Sequence, residues 1–204
     1  MDSDKLGSVD IVGLHERALD SVAELIQGVS QDRMGSLTPC EGWDVCTLLA
    51  HLVGGNRRYE ALAEGIPMPK RDQGAGSVPP TSVVDDLLGS DPVAAYCESA
   101  EALKGAWRDD VRLEELYDLP FGRLPGRMVL GMHLLETVAH GWDLARATEQ
   151  QTRFNPEVVR VAWAMARLAL SGERSPGIPF ASAVDPPEGA SEEDRLAAFL
   201  GRRP

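Results

Sequence analysis

Residue types that bind metal ions lie on two segments of the sequence with helical patterns of apolar residues. His51 lies on the first segment, and Glu136 and His140 lie on the second. Because Glu136 and His140 are four residues apart, they share one face of a helix. With a third ligand from another helix, two histidines and one carboxylate leave coordination positions open, which is typical of catalytic metal sites. These residues therefore predict a metalloenzyme.

The spacing leaves two alternatives open. An ion pair or hydrogen bond between Glu136 and His140 would explain the same spacing without a metal ion. His133 lies within about 60° of both residues on the helical wheel, so it is an alternative to His51 as a ligand. We prefer His51, because three ligands from one helix would be crowded and would leave the facing helices unused.

Other polar side chains are candidates for supporting roles. Asp143 follows His140 by three residues, so its carboxylate can orient a ligating imidazole. The alternative for Asp143 is solvation at the surface or a hydrogen bond to the next loop. His15 is predicted to be an exposed residue of the first helix. Cys40 and Cys46 have no obvious histidine partner in the sequence, which favours structural thiols over nucleophiles.

The composition excludes several classes of protein. A chain of 204 residues with 43% apolar and 25% charged residues is typical of one globular domain with at most a small extension. The net charge of -12 argues against a nucleic-acid groove and against binding to an anionic membrane. The sequence has no apolar run of membrane-spanning length and no secretory signal, so we expect a cytoplasmic protein. The sequence lacks the motifs of a nucleophile elbow, a phosphate-binding glycine loop and a dinucleotide-binding site.

Helical periodicity predicts the elements that position these side chains. Asp44 and the pair Asp91-Pro92 are strong helix starts, because each offers a capping carboxylate. Four long helices are predicted at about 9–27, 44–63, 91–108 and 127–148. They predict an all-α helix bundle with the site in its core.

The remaining segments are predicted to be loops and a helical extension. Residues 65–81 are rich in Gly, Pro and charge and are predicted to form a mobile loop or lid. Residues 111–126 are predicted to be irregular, with room for a short hairpin. A fifth helix is predicted from 156 to about 171, followed by a loop and a short helix that begins at Ser191 with Asp194 as its capping partner. Substrate specificity is assigned to the loops at 65–81 and 111–126.

Two longer motifs resemble a known family. The first is Leu37-Thr38-Pro39-Cys40-Glu41-Gly42-Trp43-Asp44-Val45, followed by Leu48-Leu49-Ala50-His51-Leu52-Val53-Gly54-Gly55-Asn56; the second runs from Glu136 to Ala145 and has the form acidic-x-x-x-His-Gly-Trp-Asp-Leu-Ala. Both resemble motifs of the mycothiol-dependent maleylpyruvate isomerase-like proteins of actinobacteria, which belong to the DinB-like metal-binding superfamily. The ending Phe199-Leu200-Gly201-Arg202-Arg203-Pro204 is similar to one actinobacterial branch.

The resemblance implies a fold and a metal site. It implies a DinB-like metal-binding four-helix bundle in residues 1–150, with residues 151–204 as a short C-terminal helical extension packed on the same domain. It implies one Zn²⁺ ion held by His51, Glu136 and His140. Nitrogen and oxygen ligands of this kind also suit Ni²⁺ and Fe²⁺.

The resemblance also implies an activity. The expected protein is a metal-dependent isomerase or S-transferase that uses mycothiol as co-substrate and acts on a small electrophilic substrate. A metal-hydroxide hydrolase of the same fold and a non-catalytic metal-containing binder of small molecules are the alternatives. The expected partners are a small-molecule substrate and a low-molecular-weight thiol, with no nucleic acid or membrane. The expected oligomeric state is a monomer or a homodimer.

Arg58 is the candidate catalytic residue. Gly54, Gly55 and Arg58 follow His51 by three, four and seven residues, so they lie on or near the His51 face of the helix. Two glycines would leave room beside the metal, and Arg58 would pair with an anionic substrate or with the polar arm of the thiol. The alternative is a solvated arginine with glycines that allow close helix packing.

Overall fold

The computed structural model describes residues 9–68, 79–120, 122–170 and 180–204. In chain order the elements are α1 (Ile11–Gln27), a 3-10 turn (Gln31–Arg33), α2 (Val45–Ala63), α3 (Thr81–Leu88), α4 (Pro92–Ala106), α5 (Asp110–Glu114), β1 (Leu116–Leu119), β2 (Gly122–Pro125), α6 (Gly126–Ala147), α7 (Pro156–Ala169) and α8 (Glu192–Phe199). Among the helices described, none is both long enough and apolar enough to cross a membrane.

The four long helices form a closed four-helix bundle, as the sequence predicted. Helix α1 packs on α6, α6 on α2, α2 on α4, and α4 on α1. Two of the predicted capping residues begin these helices, because the Asp44 carboxylate accepts the Thr47 N–H at 2.8 Å and the Asp91 carboxylate accepts the Ala94 N–H at 3.0 Å. The bundle brings α2 and α6, which carry the candidate ligands, side by side.

Buried aromatic residues lock the bundle through their polar ends. The Trp107 indole N–H donates to the Tyr59 carbonyl at 3.1 Å, which ties the end of α4 to α2. The Tyr96 hydroxyl donates to the Leu19 carbonyl at 3.2 Å, which ties α4 to α1. Both side chains are fully buried, so these hydrogen bonds satisfy groups that would be costly to leave unpaired.

Glycines allow α6 to approach its neighbours closely. A Cβ atom at Gly141 would lie 2.8 Å from the Val22 side chain of α1 and 2.6 Å from the Phe154 ring. A Cβ atom at Gly131 would lie 2.9 Å from the Met165 sulfur of α7. Neither position has room for a side chain. Gly141, which follows His140, therefore allows this part of α6 to pack closely against α1.

Helices α7 and α8 pack on the outside of α6, and their apolar residues join the same core. The Trp142 indole N–H donates to the Asp194 carboxylate of α8 at 2.9 Å. The Ser191 hydroxyl oxygen accepts the Asp194 N–H at 3.0 Å and caps α8, as predicted. The division between residues 1–150 and 151–204 stays a prediction.

Some segments differ from the sequence prediction or lie outside it. Helix α3 was not predicted, because it has only eight residues between the Gly-Pro-rich loop and the next turn. The segment 111–126 contains the end of α5 and an antiparallel hairpin in which Leu116 pairs with Pro125. Residues 69–78 of the predicted lid and 171–179 of the predicted loop lie outside the described residues.

Candidate metal centre

Four titratable side chains of α2 and α6 line one small pocket in the bundle. They are His51 of α2 and His133, Glu136 and His140 of α6. The cavity has a volume of about 10 Å³. Such a space fits one water molecule or one ion. The structure therefore brings the three predicted ligands together, with His133 on the same wall.

Trp43 packs on both candidate histidine ligands. Its ring lies 4.8 Å from that of His51 and 6.1 Å from that of His140, centre to centre, and is nearly parallel to the latter. The rings of His51 and His140 are 4.7 Å apart and meet edge to face. Trp43 is buried and directly precedes Asp44, which caps α2. Trp43 belongs to the first sequence motif, where nothing indicated a role for it; its contacts hold the two imidazoles.

Asp143 orients the imidazole ring of His140. One of its carboxylate oxygens lies 3.0 Å from His140 Nδ1, and the same carboxylate accepts two hydrogen bonds from Arg202, at 2.9 and 3.2 Å. Burial by itself would raise the pKa of Asp143, but the hydrogen bond from His140 and the charge of Arg202 outweigh it and lower the pKa to about 2. An ionised carboxylate accepts only, so His140 Nδ1 carries a hydrogen, and in the neutral ring Nε2 has the free lone pair.

Cys40 has a histidine neighbour that was not obvious in the sequence. Its sulfur lies 3.8 Å from His140 Nδ1 and 3.2 Å from the Asp143 carboxylate, to which the thiol donates. Local sequence could not reveal this contact, because 100 residues separate Cys40 from His140. Burial, and then the charge of Asp143, raises the pKa of the Cys40 thiol to about 12. The thiol therefore stays protonated in this position.

Cys40, His140 and Asp143 form a compact group of potential metal ligands. Within the described part of the chain, their ligand atoms all lie within 4.8 Å of one another, and the group does not include His51 or Glu136. A metal ligand must be deprotonated and must have a free lone pair. Because the Cys40 thiol donates to Asp143 and the Asp143 carboxylate is engaged by Arg202, we interpret this group as the support of His140.

His15 is buried, which contradicts the prediction of an exposed residue. It is 1% exposed, and its Nε2 lies 2.8 Å from Nδ1 of His133. The partner lies on a helix 118 residues away, so the local pattern of α1 could not show it. Burial, and then the charge of Lys104, lowers the pKa of His15 to about 3. Burial, and then the charge of neighbours that include His15 and Arg58, lowers the pKa of His133 well below its usual value.

His133 lines the pocket, and two neighbouring rings contact it. Its ring packs on Tyr59 at 4.3 Å, and its Nδ1 is engaged by His15. A Cβ atom at Gly55, which also lines the pocket, would lie 3.7 Å from His133 Nε2. His133 therefore remains an alternative ligand through Nε2, and the choice between His133 and His51 stays a prediction.

Arg58 lies at the edge of the pocket. Its guanidinium group folds back over the two glycines, since a Cβ atom at Gly54 would lie 3.3 Å from Nη1 and one at Gly55 would lie 3.8 Å from Nη2. The residue itself is exposed. Arg58 and the two glycines thus lie together on α2, as predicted. The role of Arg58 in substrate binding stays a prediction.

The donor set suits a divalent metal ion such as zinc. His51, Glu136 and His140 offer two imidazoles and one carboxylate around a space of about the size of an ion. The hydrogen bond between His140 Nδ1 and Asp143 leaves Nε2 for coordination, which is the usual carboxylate–histidine–metal arrangement.

Comparisons with known proteins agree with this reading of the fold. Residues 15–145 match the family described as the mycothiol maleylpyruvate isomerase N-terminal domain. Two proteins of Mycobacterium tuberculosis, Uncharacterized protein MT0763 of strain CDC 1551 / Oshkosh and Uncharacterized protein Rv0738 of strain H37Rv, are each 33% identical over 195 residues, covering 95% of this chain and 98% of the relative.

A solved structure shares the fold. The crystal structure of the mycothiol-dependent maleylpyruvate isomerase superposes with a TM-score of 0.59 and 17% identity, covering 76% of this chain and 69% of that chain. The similarity confirms the predicted fold class, and the match over residues 15–145 confirms the predicted resemblance. This chain belongs to the family of the mycothiol maleylpyruvate isomerase N-terminal domain.

Proposed function

We propose that this protein is a zinc-dependent enzyme that uses mycothiol as co-substrate and acts on a small electrophilic substrate. The observation that carries the proposal is the ion-sized pocket lined by His51, Glu136 and His140 in a chain of the mycothiol isomerase family. The reaction is an isomerisation or an S-transfer.

Residues in and around the pocket have distinct parts in this proposal. His51, Glu136 and His140 would hold the metal ion, and Asp143 keeps His140 in the tautomer that exposes Nε2. Bound zinc would supply a positive charge that lowers the pKa of a thiol. Trp43 covers one side of both imidazoles and keeps water away from them. Arg58 would pair with an anionic group at the mouth.

The two reactions share their first step. The thiol sulfur adds to an activated double bond, forming an S–C bond, and the neighbouring carbon takes up a proton. In an isomerase, the new single bond rotates, the proton leaves, and the S–C bond breaks to return the thiol. In a transferase the adduct is the product. Consumption of the thiol therefore distinguishes the two.

The proposal is tested by the thiol requirement of the reaction. We expect the zinc-loaded protein to convert maleylpyruvate, or another unsaturated acid of a small panel, only when mycothiol is present. The measurement compares turnover without thiol, with mycothiol and with glutathione. Turnover that does not depend on any thiol would instead indicate a metal-hydroxide hydrolase. Tight binding of the compound without any product would indicate a binding protein.

Replacing Arg58 by Met should weaken the binding of an acidic substrate. Loss of a charge-assisted hydrogen bond costs about 1.5–3 kcal/mol, so we expect KM to rise roughly tenfold or more. The metal content should not change, because Arg58 is not among the proposed ligands. The neighbouring exposed Arg57 gives a matched control, and Arg57→Met should leave KM unchanged. An unchanged KM in Arg58→Met would remove Arg58 from the substrate site.

A further inference from the structure

We infer that Arg202 is a positioning residue of the proposed metal centre, which it reaches through Asp143 and His140. The inference rests on the proposed function, because it takes His140 as a metal ligand. Arg202 lies outside residues 15–145, which match the family. A residue beyond the matched domain would thus complete the centre.

Arg202 forms a bidentate ion pair with Asp143, which we call the clamp. Its Nε donates to Asp143 Oδ1 at 3.2 Å, and its Nη2 donates to Asp143 Oδ2 at 2.9 Å. The Asp143 side chain is fully buried, and that of Arg202 is 9% exposed. The guanidinium group also packs over the Phe180 ring at 5.5 Å and donates through Nη1 to the Leu200 carbonyl. A bidentate pair of this kind fixes the plane of the carboxylate as well as its position.

The backbone at the end of α8 directs Arg202 towards Asp143. Gly201 has a φ of +87°, its N–H donates to the Ala198 carbonyl, and the Arg202 N–H donates to the Ala197 carbonyl at 2.9 Å. This pair of hydrogen bonds is the Schellman motif that ends a helix and turns the chain back. A Cβ atom at Gly201 would lie 2.7 Å from that of Ala181, so the turn is also packed against the preceding segment.

The clamp determines which nitrogen of His140 is free. With both Asp143 oxygens accepting hydrogen bonds from Arg202, the carboxylate offers His140 Nδ1 an acceptor in a fixed place. Nδ1 therefore carries the hydrogen, and Nε2 is the nitrogen available to a metal ion. Without the clamp, the carboxylate loses two of its hydrogen bonds and can rotate more freely, so it orients the ring of His140 less firmly.

The test measures metal affinity and the tautomer of His140 separately. Co²⁺ is titrated into the metal-free full chain and followed by its visible absorption, for the wild type and for Arg202→Met, Arg202→Lys and Arg203→Met. Long-range ¹⁵N–¹H spectra of the metal-free proteins report which ring nitrogen of His140 carries the hydrogen. Arg203 is the matched control, because it is exposed and adjacent.

We expect Arg202→Met to weaken Co²⁺ binding by up to about 10–100-fold, the effect of removing the direct partner of a metal ligand, because Asp143 loses its fixed position. Its spectrum should show a larger share of His140 with hydrogen on Nε2. Arg202→Lys keeps the charge and loses the fork, so its affinity should lie between those of wild type and Arg202→Met. Arg203→Met should match the wild type in both measurements. If Arg202→Met does not fold, Arg202→Lys and its spectrum decide the question.

Two failures are distinguishable. If the wild type binds Co²⁺ and the Arg202 variants bind it equally tightly with an unchanged tautomer, the inference about Arg202 is overturned while the metal proposal stands. If the wild type does not bind Co²⁺, the metal proposal fails, and the tautomer measurement still decides whether Arg202 orients His140. A variant that loses thermal stability but keeps its Co²⁺ affinity and tautomer would assign Arg202 a purely structural role.

Discussion

Purified Glu136→Gln protein should contain almost no zinc, whereas Cys40→Ser protein should keep the wild-type amount. Glu136 lies in the ion-sized pocket with His51 and His140, and the substitution replaces a negative ligand by a neutral amide of nearly the same shape. Removing a partner of a metal ligand already costs about 10–100-fold in affinity, so loss of a ligand itself should cost roughly 100-fold or more. The measurement is metal analysis of protein from zinc-supplemented cultures.

The two variants separate two candidate metal sites. If the ion were held by the group of Cys40, His140 and Asp143, the Cys40 substitution would release it and the Glu136 substitution would not. His140→Ala should lose the metal under either assignment, which makes it a positive control. Equal zinc in the wild type, Glu136→Gln and His140→Ala would contradict the assignment of these residues as ligands.

Acid should destabilise the metal-free protein well before its carboxylates are protonated. His15 and His133 are buried as neutral rings, and the pKa of His15 falls from 6.5 to about 3 in the folded chain. Each unit of such a shift corresponds to about 1.4 kcal/mol of stability, so His15 alone should contribute several kcal/mol to the pH dependence, and His133 acts in the same direction. The free energy of unfolding by urea, measured from pH 7.5 to pH 4.5 with a chelator present, tests this.

The direction follows from the number of bound protons. Between about pH 3 and pH 6.5 the unfolded chain binds a proton at His15 and the folded chain does not, so stability rises with pH in that window. The contribution is complete above pH 6.5 and is lost as the pH falls. His15→Gln removes one of the titrating rings, so its unfolding free energy should depend less steeply on pH.

A destabilised control separates titration from general weakening. Val22 is fully buried on the same helix as His15, and Val22→Ala should lower stability without removing a histidine. Its unfolding free energy should therefore change with pH as steeply as that of the wild type. A pH dependence as steep in His15→Gln as in the wild type would show that His15 does not carry the acid sensitivity.

Local patterns in the sequence were enough to predict the bundle and the pocket. The four long helices follow from apolar periodicity and capping residues, and the i, i+4 spacing put Glu136 and His140 on one face. The motif around His51 then named the facing helix. These features are local, because each depends on residues within a few turns of one helix.

The supporting contacts could not be predicted in this way, because they join distant parts of the chain. Cys40 meets His140 across 100 residues, His15 meets His133 across 118, and Arg202 meets Asp143 across 59. A lone histidine on an amphipathic helix has no local feature that distinguishes a buried partner from an exposed side chain. Only the packing of α1 and α8 on α6 determines these pairs.

The hydrogen-bonded rings of His15 and His133 allow one wall of the pocket to act either as a hydrogen-bond donor or as an acceptor. Both rings are neutral, and a single hydrogen lies between His15 Nε2 and His133 Nδ1. When His15 donates that hydrogen, His133 Nε2 carries one and offers a donor to the pocket; when His133 donates it, Nε2 is an acceptor. The wall can thus bind a carbonyl oxygen or a hydroxyl hydrogen at the same point, and exchanging one for the other changes no net charge.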